Sequence, residues 1–179
     1  MRSVATIEIA SACIGWERRC PDIRRLARKT ARVVLHDGIA PTALTSPVRV
    51  ELGITLTDDA GQQQLNHKYR GKPAPTNVLA FPAWDPNAPV PCGAPLLLGD
   101  VVLAFETVER EAVDQGKTFV DHFRHLVVHG VLHLLGWEHQ SEATAAEMEA
   151  QETSILAKLG VSDPYYRVRR SIEPEAVCP

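Results

Sequence analysis

The chain has 179 residues, of which 45% are hydrophobic and 23% are charged, and its formal net charge is −3. This is the size and composition of one globular domain, and the negative charge excludes a protein whose whole surface attracts nucleic acid. No apolar run is long enough to span a membrane, and the first ten residues lack the order of a signal peptide. We therefore expect a cytoplasmic protein without a membrane partner, with a single domain over residues 1–166 and a flexible tail over residues 167–179.

The first part of the chain alternates predicted strands and helices. Residues 4–9 and 48–57 alternate apolar and polar side chains, which predicts two strands, the first of them at a sheet edge. Helices are predicted over residues 21–36 and from 58 or 59 to about 69, whereas residues 11–20 show no clear period. The first helix has a basic face, predicted either as a solvated surface or as a contact for a phosphate backbone: Arg24, Arg25, Arg28, Lys29 and Arg32.

The second part of the chain adds two strands and further helices. Residues 77–81 and 96–105 are apolar enough to be strands, and the proline-rich residues 82–95 between them are predicted to be a loop. Residues 106–116 follow as a helix with acidic side chains in its first turns. The last predicted helix, over residues 143–159, is amphipathic.

The helix predicted over residues 118–135 lies at the centre of the fold. It is apolar around nearly its whole circumference, so we expect it to be buried. One stripe differs, because His122, His125, His129 and His133 fall within about 80° of one another on a helix. A buried helix with a single histidine stripe is expected to point that stripe into a cleft.

The strongest signal is the spacing of three histidines. His129 and His133 are four residues apart, so they project from one helix face, one turn apart, and reach a single ion. His139 would face away if the helix continued, but Gly136 accepts the left-handed conformation that ends many helices, so the chain turns back. Three imidazoles with an open fourth position are typical of a catalytic zinc site, and we predict one bound Zn²⁺.

The same spacing occurs in zinc peptidases that carry the motif HExxHxxGxxH. In those enzymes the glutamate after the first histidine is the general base. This chain has Gly130 at that position. The ligand set of the peptidase is therefore present without its proton-transfer group, which disfavours peptide hydrolysis and favours chemistry such as phosphodiester cleavage.

The segment HLVVHGVLHLLGWEH, residues 125–139, resembles the signature of the bacterial rRNA-maturation endoribonucleases of the YbeY type. The similarity continues through residues 147–165 on its C-terminal side. Upstream, residues 65–71 and 76–82 resemble the family's second conserved block, and residues 98–101 resemble its third. The histidine segment is the most specific of these matches.

The resemblance, which covers about residues 50–166, implies a fold, an activity and partners. The fold is zincin-like α/β (α+β), a single domain in which a small mixed sheet packs against several helices around a central metal-binding helix. The activity is zinc-dependent cleavage of single-stranded RNA, in maturation of the 3′ end of 16S rRNA and in ribosome quality control. The implied partners are rRNA, the small ribosomal subunit and its assembly factors.

The resemblance also implies roles for residues near the metal. Arg70, in a segment rich in proline and glycine, is expected to clamp the scissile phosphate, and His129 to hold the metal that acts on it. Glu138 and Asn77 depart from the family, which usually has aspartate at both positions. Four residues are expected beside the ligands or the substrate: His125, Glu138, Asn77 and Asp100.

Two other functions remain open at this stage. A non-catalytic ribosome-assembly factor would use zinc to hold its fold, and it would need a fourth protein ligand, for example Cys92. A metallopeptidase would need a general base to replace the glutamate that is absent at Gly130. The four cysteines lack the CxxC spacing of metal sites, so we expect them to be reduced thiols.

Overall fold

The computed structural model of the protein describes residues 5–38, 49–85, 88–89 and 93–166. These residues contain four strands and six helices, which confirms the predicted mixed α/β class. In chain order the elements are β1 (Ala5–Ser11), α1 (Gly15–Arg19), α2 (Ile23–Asp37), β2 (Val50–Thr57), α3 (Asp59–Arg70), β3 (Val78–Pro82), β4 (Leu96–Ala104), α4 (Phe105–Asp114), α5 (Phe119–Leu134) and α6 (Glu142–Lys158).

The four strands form one mixed sheet in the order β1-β2-β4-β3. The β1, β2 and β4 strands are parallel, and β3 pairs antiparallel with β4. The prediction that the first strand lies at an edge is therefore confirmed. The α5 helix packs against β3, β4, α2, α4 and α6, so it lies at the centre of the fold as predicted.

Two local features differ from the pattern in the sequence. Residues 15–19 form the short helix α1, which was not predicted because its five residues place a single side chain, Trp16, in the core. Trp16 is fully buried against three phenylalanines, and its indole N–H donates to the Thr57 carbonyl oxygen at 2.8 Å. The β4 strand changes register against β2 near Leu98, a β-bulge that inserts one extra residue.

Gly130 lets α5 approach the sheet closely. A Cβ atom at this position would lie 2.6 Å from Cγ1 of Val101 and 3.3 Å from Cγ2 of Val78. Real Cβ atoms do not make contacts as short as the first of these, so any side chain here would require Val101 or the helix to shift. The position that carries the general base in the HExxH peptidases is thus directed at the sheet in this protein.

Several predictions fall on residues outside the described ranges. These include the flexible tail at 167–179, part of the loop at 82–95, and Cys92 as a fourth metal ligand. Cys13 and Cys20, which the structure does describe, are free thiols as predicted. No helix in the described ranges is both long and apolar enough to cross a membrane.

Candidate metal centre

The turn after α5 brings the third histidine back to the first two. The α5 helix ends at Leu134, and Gly136 takes φ = 89°, in the left-handed region. The Trp137 N–H donates to the Leu132 carbonyl oxygen at 3.1 Å, and the Gly136 N–H donates to that of His133 at 3.0 Å. This is the Schellman pattern that closes a helix at a glycine. The predicted helix end at Gly136 is confirmed.

The three predicted ligands converge. One side-chain nitrogen each from His129, His133 and His139 lies within 4.8 Å of the other two. The ring centroid of His139 is 4.9 Å from that of His133 and 5.6 Å from that of His129. Among the described residues this is the cluster that offers three metal-ligating side chains to one point.

The hydrogen bonds fix which nitrogen of two rings faces the centre. Nδ1 of His129 lies 2.7 Å from Oε1 of Glu152, and Nδ1 of His133 lies 3.0 Å from the Trp137 carbonyl oxygen. Both partners accept hydrogen bonds only, so each Nδ1 carries the proton and each Nε2 of a neutral ring carries a lone pair.

The chemistry of the donor set fits a metal ion. The Nε2 atoms of His129 and His133 face each other at 3.1 Å, so two lone pairs meet there. Two imidazole ligands of a tetrahedral Zn²⁺ are separated by about 3.3 Å, given Zn–N bonds of about 2.05 Å. A cation between these nitrogens would replace a repulsive contact with two favourable ones.

Burial keeps one of the candidate ligands neutral. Loss of solvent around His133, followed by repulsion from His129 and His139, lowers the pKa of His133 to about 4. A histidine binds a metal only through the lone pair of an unprotonated nitrogen. This ring is therefore ready for a cation near neutral pH without first losing a proton.

The carboxylate that holds a ligand is Glu152 and not the predicted Glu138. Glu152 lies on α6, is 1% exposed, and accepts from His129. Glu138 is exposed after the turn and forms no hydrogen bond or ion pair with any residue that the structure describes. The signal in the sequence that could have found Glu152 is its position on the same face of α6 as the buried residues Met148 and Ile155.

The histidine stripe of α5 does not face a single cleft as predicted. His133 and His129 do line the cleft, but His122 is 2% exposed and its Nε2 lies 2.8 Å from Oε2 of Glu111 on α4. His125 lies between His122 and His129 along the helix, and its Nε2 is 3.1 Å from Oε2 of Glu152. The structure thus places His125 behind the ligand His129, where it shares the same carboxylate.

An open cleft of about 910 Å³ surrounds the three histidines. Arg70 lines it, at the C-terminal end of α3 and not in the irregular segment where it was predicted. Gly71 ends this helix with φ = 66°. The Arg70 side chain is exposed and has no ion-pair partner within the described ranges, so its guanidinium is available to an anion in the cleft.

Asp100 does not reach this cleft. It lies on β4 directly before Val101, which faces α5 at Gly130. Neighbouring residues of a strand point to opposite faces, so the Asp100 carboxylate lies on the far side of the sheet, against Gly53 of β2. The structure therefore separates Asp100 from the histidines that it was expected to accompany.

Asn77 lines the cleft, but its amide is already bound by the protein. Its Nδ2 donates to Oε2 of Glu111 at 2.9 Å, and its Oδ1 accepts from the Val78 N–H at 2.7 Å. Burial raises the pKa of Glu111, but hydrogen bonds from His122 and Asn77 outweigh it and leave the pKa below its ordinary value. The asparagine thus supports an ionised Glu111.

We expect Asn77→Asp to lower the free energy of unfolding by about 1–3 kcal/mol near pH 7. The change replaces a donor by a second carboxylate beside Glu111, which raises the folded-state pKa of the pair above its unfolded value. The penalty is then present at neutral pH and is lost as the pH falls below about 4. Urea unfolding at pH 7 and at pH 4 measures this change in the free energy of unfolding.

Asn77→Ala is the control, because it removes the same hydrogen bond without adding a charge. Its cost should change much less between pH 7 and pH 4. Equal pH dependence of the two variants would contradict the account.

Comparison with known proteins matches this chain to one family. The family model described as Endoribonuclease YbeY matches residues 20–160. A protein of that name from Paramagnetospirillum magneticum is 54% identical over 163 residues, covering 89% of this chain and 96% of that one. Another, from Rhodospirillum rubrum, is 47% identical over 156 residues, covering 86% of this chain and 78% of that one. The solution structure of TM1509 from Thermotoga maritima has a TM-score of 0.50 at 18% identity, covers 97% of this chain and 100% of that one, and indicates a similar fold.

Proposed function

The chain belongs to the Endoribonuclease YbeY family, and we propose that it is a zinc-dependent endoribonuclease that cleaves single-stranded RNA. The observation that carries the proposal is the convergence of His129, His133 and His139 in an open cleft that also contains Arg70. The endoribonuclease name that the relatives carry supports the activity. We further propose that it acts in the cytoplasm on the 3′ end of 16S rRNA and in ribosome quality control, with the small subunit and its assembly factors as partners.

The number of protein ligands favours catalysis over a structural metal. Within the described ranges the site offers three imidazoles and no fourth protein ligand. Structural zinc sites are closed by four protein ligands, whereas catalytic sites leave one position for water or substrate. When bound, Zn²⁺ supplies a Lewis acid that polarises a phosphoryl oxygen and activates water.

The residues around the metal have separate tasks in this proposal. Glu152 and the Trp137 carbonyl oxygen hold two of the ligands in the required tautomer. Arg70 binds the scissile phosphate, for which a guanidinium offers two parallel hydrogen bonds. Glu138 lines the cleft as an exposed carboxylate, in a position to accept a proton released there.

The basic face of α2 is a second candidate contact for RNA. Two of its arginines are neutralised locally, since Arg24 pairs with Glu17 at 2.9 Å and Arg25 with Asp22 at 2.7 Å. Lys29 and Arg32 are exposed and have no ion-pair partner among the residues described. The phosphate-backbone interpretation therefore depends on these last two side chains.

The two alternative functions have less support. A peptidase of the HExxH type needs a carboxylate at position 130, and here a Cβ at that position would lie 2.6 Å from Cγ1 of Val101, so a side chain would require a neighbour to shift. A non-catalytic assembly factor with a structural zinc would need a fourth protein ligand, and the described residues supply none.

Cleavage of three substrates by the purified protein tests the proposal. We expect a labelled single-stranded RNA to be cut internally, a duplex of the same sequence to be cut much more slowly, and casein to remain intact. A chelator should stop the cleavage, and added Zn²⁺ should restore it. Cleavage of casein, or RNA cleavage that is unaffected by the chelator, would contradict the proposal.

A further inference from the structure

A partly buried tyrosine lies behind the candidate metal centre. Tyr165 follows α6 in the chain, and its hydroxyl donates to Oε2 of Glu152. The opposite oxygen of this carboxylate, Oε1, accepts from Nδ1 of His129 at 2.7 Å. One carboxylate therefore joins the segment after α6 to a ligand of the metal.

The segment that carries Tyr165 is anchored to α6. The Asp163 carboxylate accepts from the Tyr165 N–H at 2.9 Å and lies 3.4 Å from the Thr153 hydroxyl oxygen, whose proton is donated to the Glu149 carbonyl oxygen at 2.8 Å. Thr153 is the residue after Glu152 on α6. The turn at residues 163–165 therefore lies beside α6, and the Tyr165 hydroxyl joins it to Glu152.

Glu152 is surrounded by three donors. It is 1% exposed, and besides His129 and Tyr165 its Oε2 lies 3.1 Å from Nε2 of His125. Burial opposes ionisation of Glu152, but the hydrogen bonds from His125 and His129 outweigh it and lower its pKa to about 2. Burial and the charge of Glu152 raise the pKa of Tyr165, so its hydroxyl stays protonated and remains a donor.

We propose that Tyr165 is a positioning residue that sets the metal affinity of the site through Glu152. The hydroxyl holds the carboxylate in the rotamer in which Oε1 faces Nδ1 of His129. That contact orients the ring and keeps its Nε2 lone pair directed at the ion. The inference deepens the proposed function and rests on its three-histidine metal site.

The ligands differ in how firmly they are held. His129 is bound by a buried carboxylate, His133 by a neutral carbonyl oxygen, and no described residue bonds to the ring of the exposed His139. Charge-assisted hydrogen bonds are about twice as strong as neutral ones. The carboxylate behind His129 therefore contributes most to preorganisation, and a loss of its support should be measurable as weaker metal binding.

The Zn²⁺ dissociation constant, measured by competition with a chromogenic chelator, tests the proposal without RNA. We expect Tyr165→Phe to weaken binding about tenfold and Glu152→Gln by about 10–100-fold, the range known for partners of metal ligands. Tyr166→Phe, which changes the exposed neighbouring tyrosine, should bind like the wild type. The visible spectrum of the Co²⁺-loaded protein should shift in the first two variants and not in the third.

A double variant separates positioning from a general loss of stability. If Tyr165 acts through Glu152, adding Tyr165→Phe to Glu152→Gln should weaken binding little further. Additive losses, or a wild-type dissociation constant in Tyr165→Phe, would overturn the proposal. A wild-type protein that binds no Zn²⁺ would instead contradict the proposed metal site itself, so the two failures are distinguishable.

Discussion

Replacing His129 by alanine should abolish metal binding at micromolar Zn²⁺ and reduce RNA cleavage by about 10³-fold or more, because the metal contributes several kcal/mol to the transition state. The variant removes a ligand and also leaves the buried Glu152 without its 2.7 Å partner. No other histidine of α5 can replace it, since His122 and His125 are engaged by Glu111 and Glu152.

His67→Ala is the matched control for this variant. His67 lies exposed on α3, away from the three ligands, and its loss should leave metal content and cleavage unchanged. Metal content by mass spectrometry and the cleavage rate are measured on the same samples. Wild-type cleavage by a metal-free His129→Ala protein would contradict the account.

Replacing Arg70 by alanine should leave the metal in place and lower kcat/KM for RNA by about 10–100-fold, as expected for a lost hydrogen bond to a charged group. Arg70 lines the cleft, and its removal breaks no hydrogen bond or ion pair among the residues that the structure describes. Arg70→Lys should give an intermediate rate, because an ammonium keeps the charge but cannot bind a phosphate through two parallel hydrogen bonds.

Lys68→Ala removes a cation from the same helix, two residues away, and serves as the control. Lys68 lies 5.1 Å from the ring of Tyr69 and does not line the cleft. The Lys68→Ala protein should cleave RNA at the wild-type rate. Joint loss of zinc and activity in Arg70→Ala would show that Arg70 supports the fold, and an unchanged rate would show that it does not bind the scissile phosphate.

The parts of the site that depend on local chain geometry could be predicted from the sequence. His129 and His133 share a helix face because they are four residues apart. Gly136 ends that helix because a left-handed residue is needed there, and its observed φ is 89°. Both rules act within about ten residues of the chain, so no tertiary contact was needed to apply them.

The parts that depend on packing between distant segments could not be predicted in the same way. Glu152 reaches His129 only because α6 packs against α5, although its buried place on α6 was visible as a glutamate among apolar residues. Glu138 was assigned as the partner of a ligand because of its place after the turn that ends α5, but the structure leaves it exposed. Asp100 was placed near the cleft by resemblance, whereas strand alternation puts it on the other face of the sheet.

Zinc titration of the stripped protein tests the central claim most directly. The metal is removed with a chelator, Zn²⁺ is added back in steps, and bound zinc and RNA cleavage are measured at each step. The account predicts that cleavage is absent without metal and rises in proportion to bound zinc until about one ion per chain is present, as a single three-histidine site requires. Full cleavage by the metal-free protein, or zinc that binds at this ratio without restoring cleavage, would contradict it.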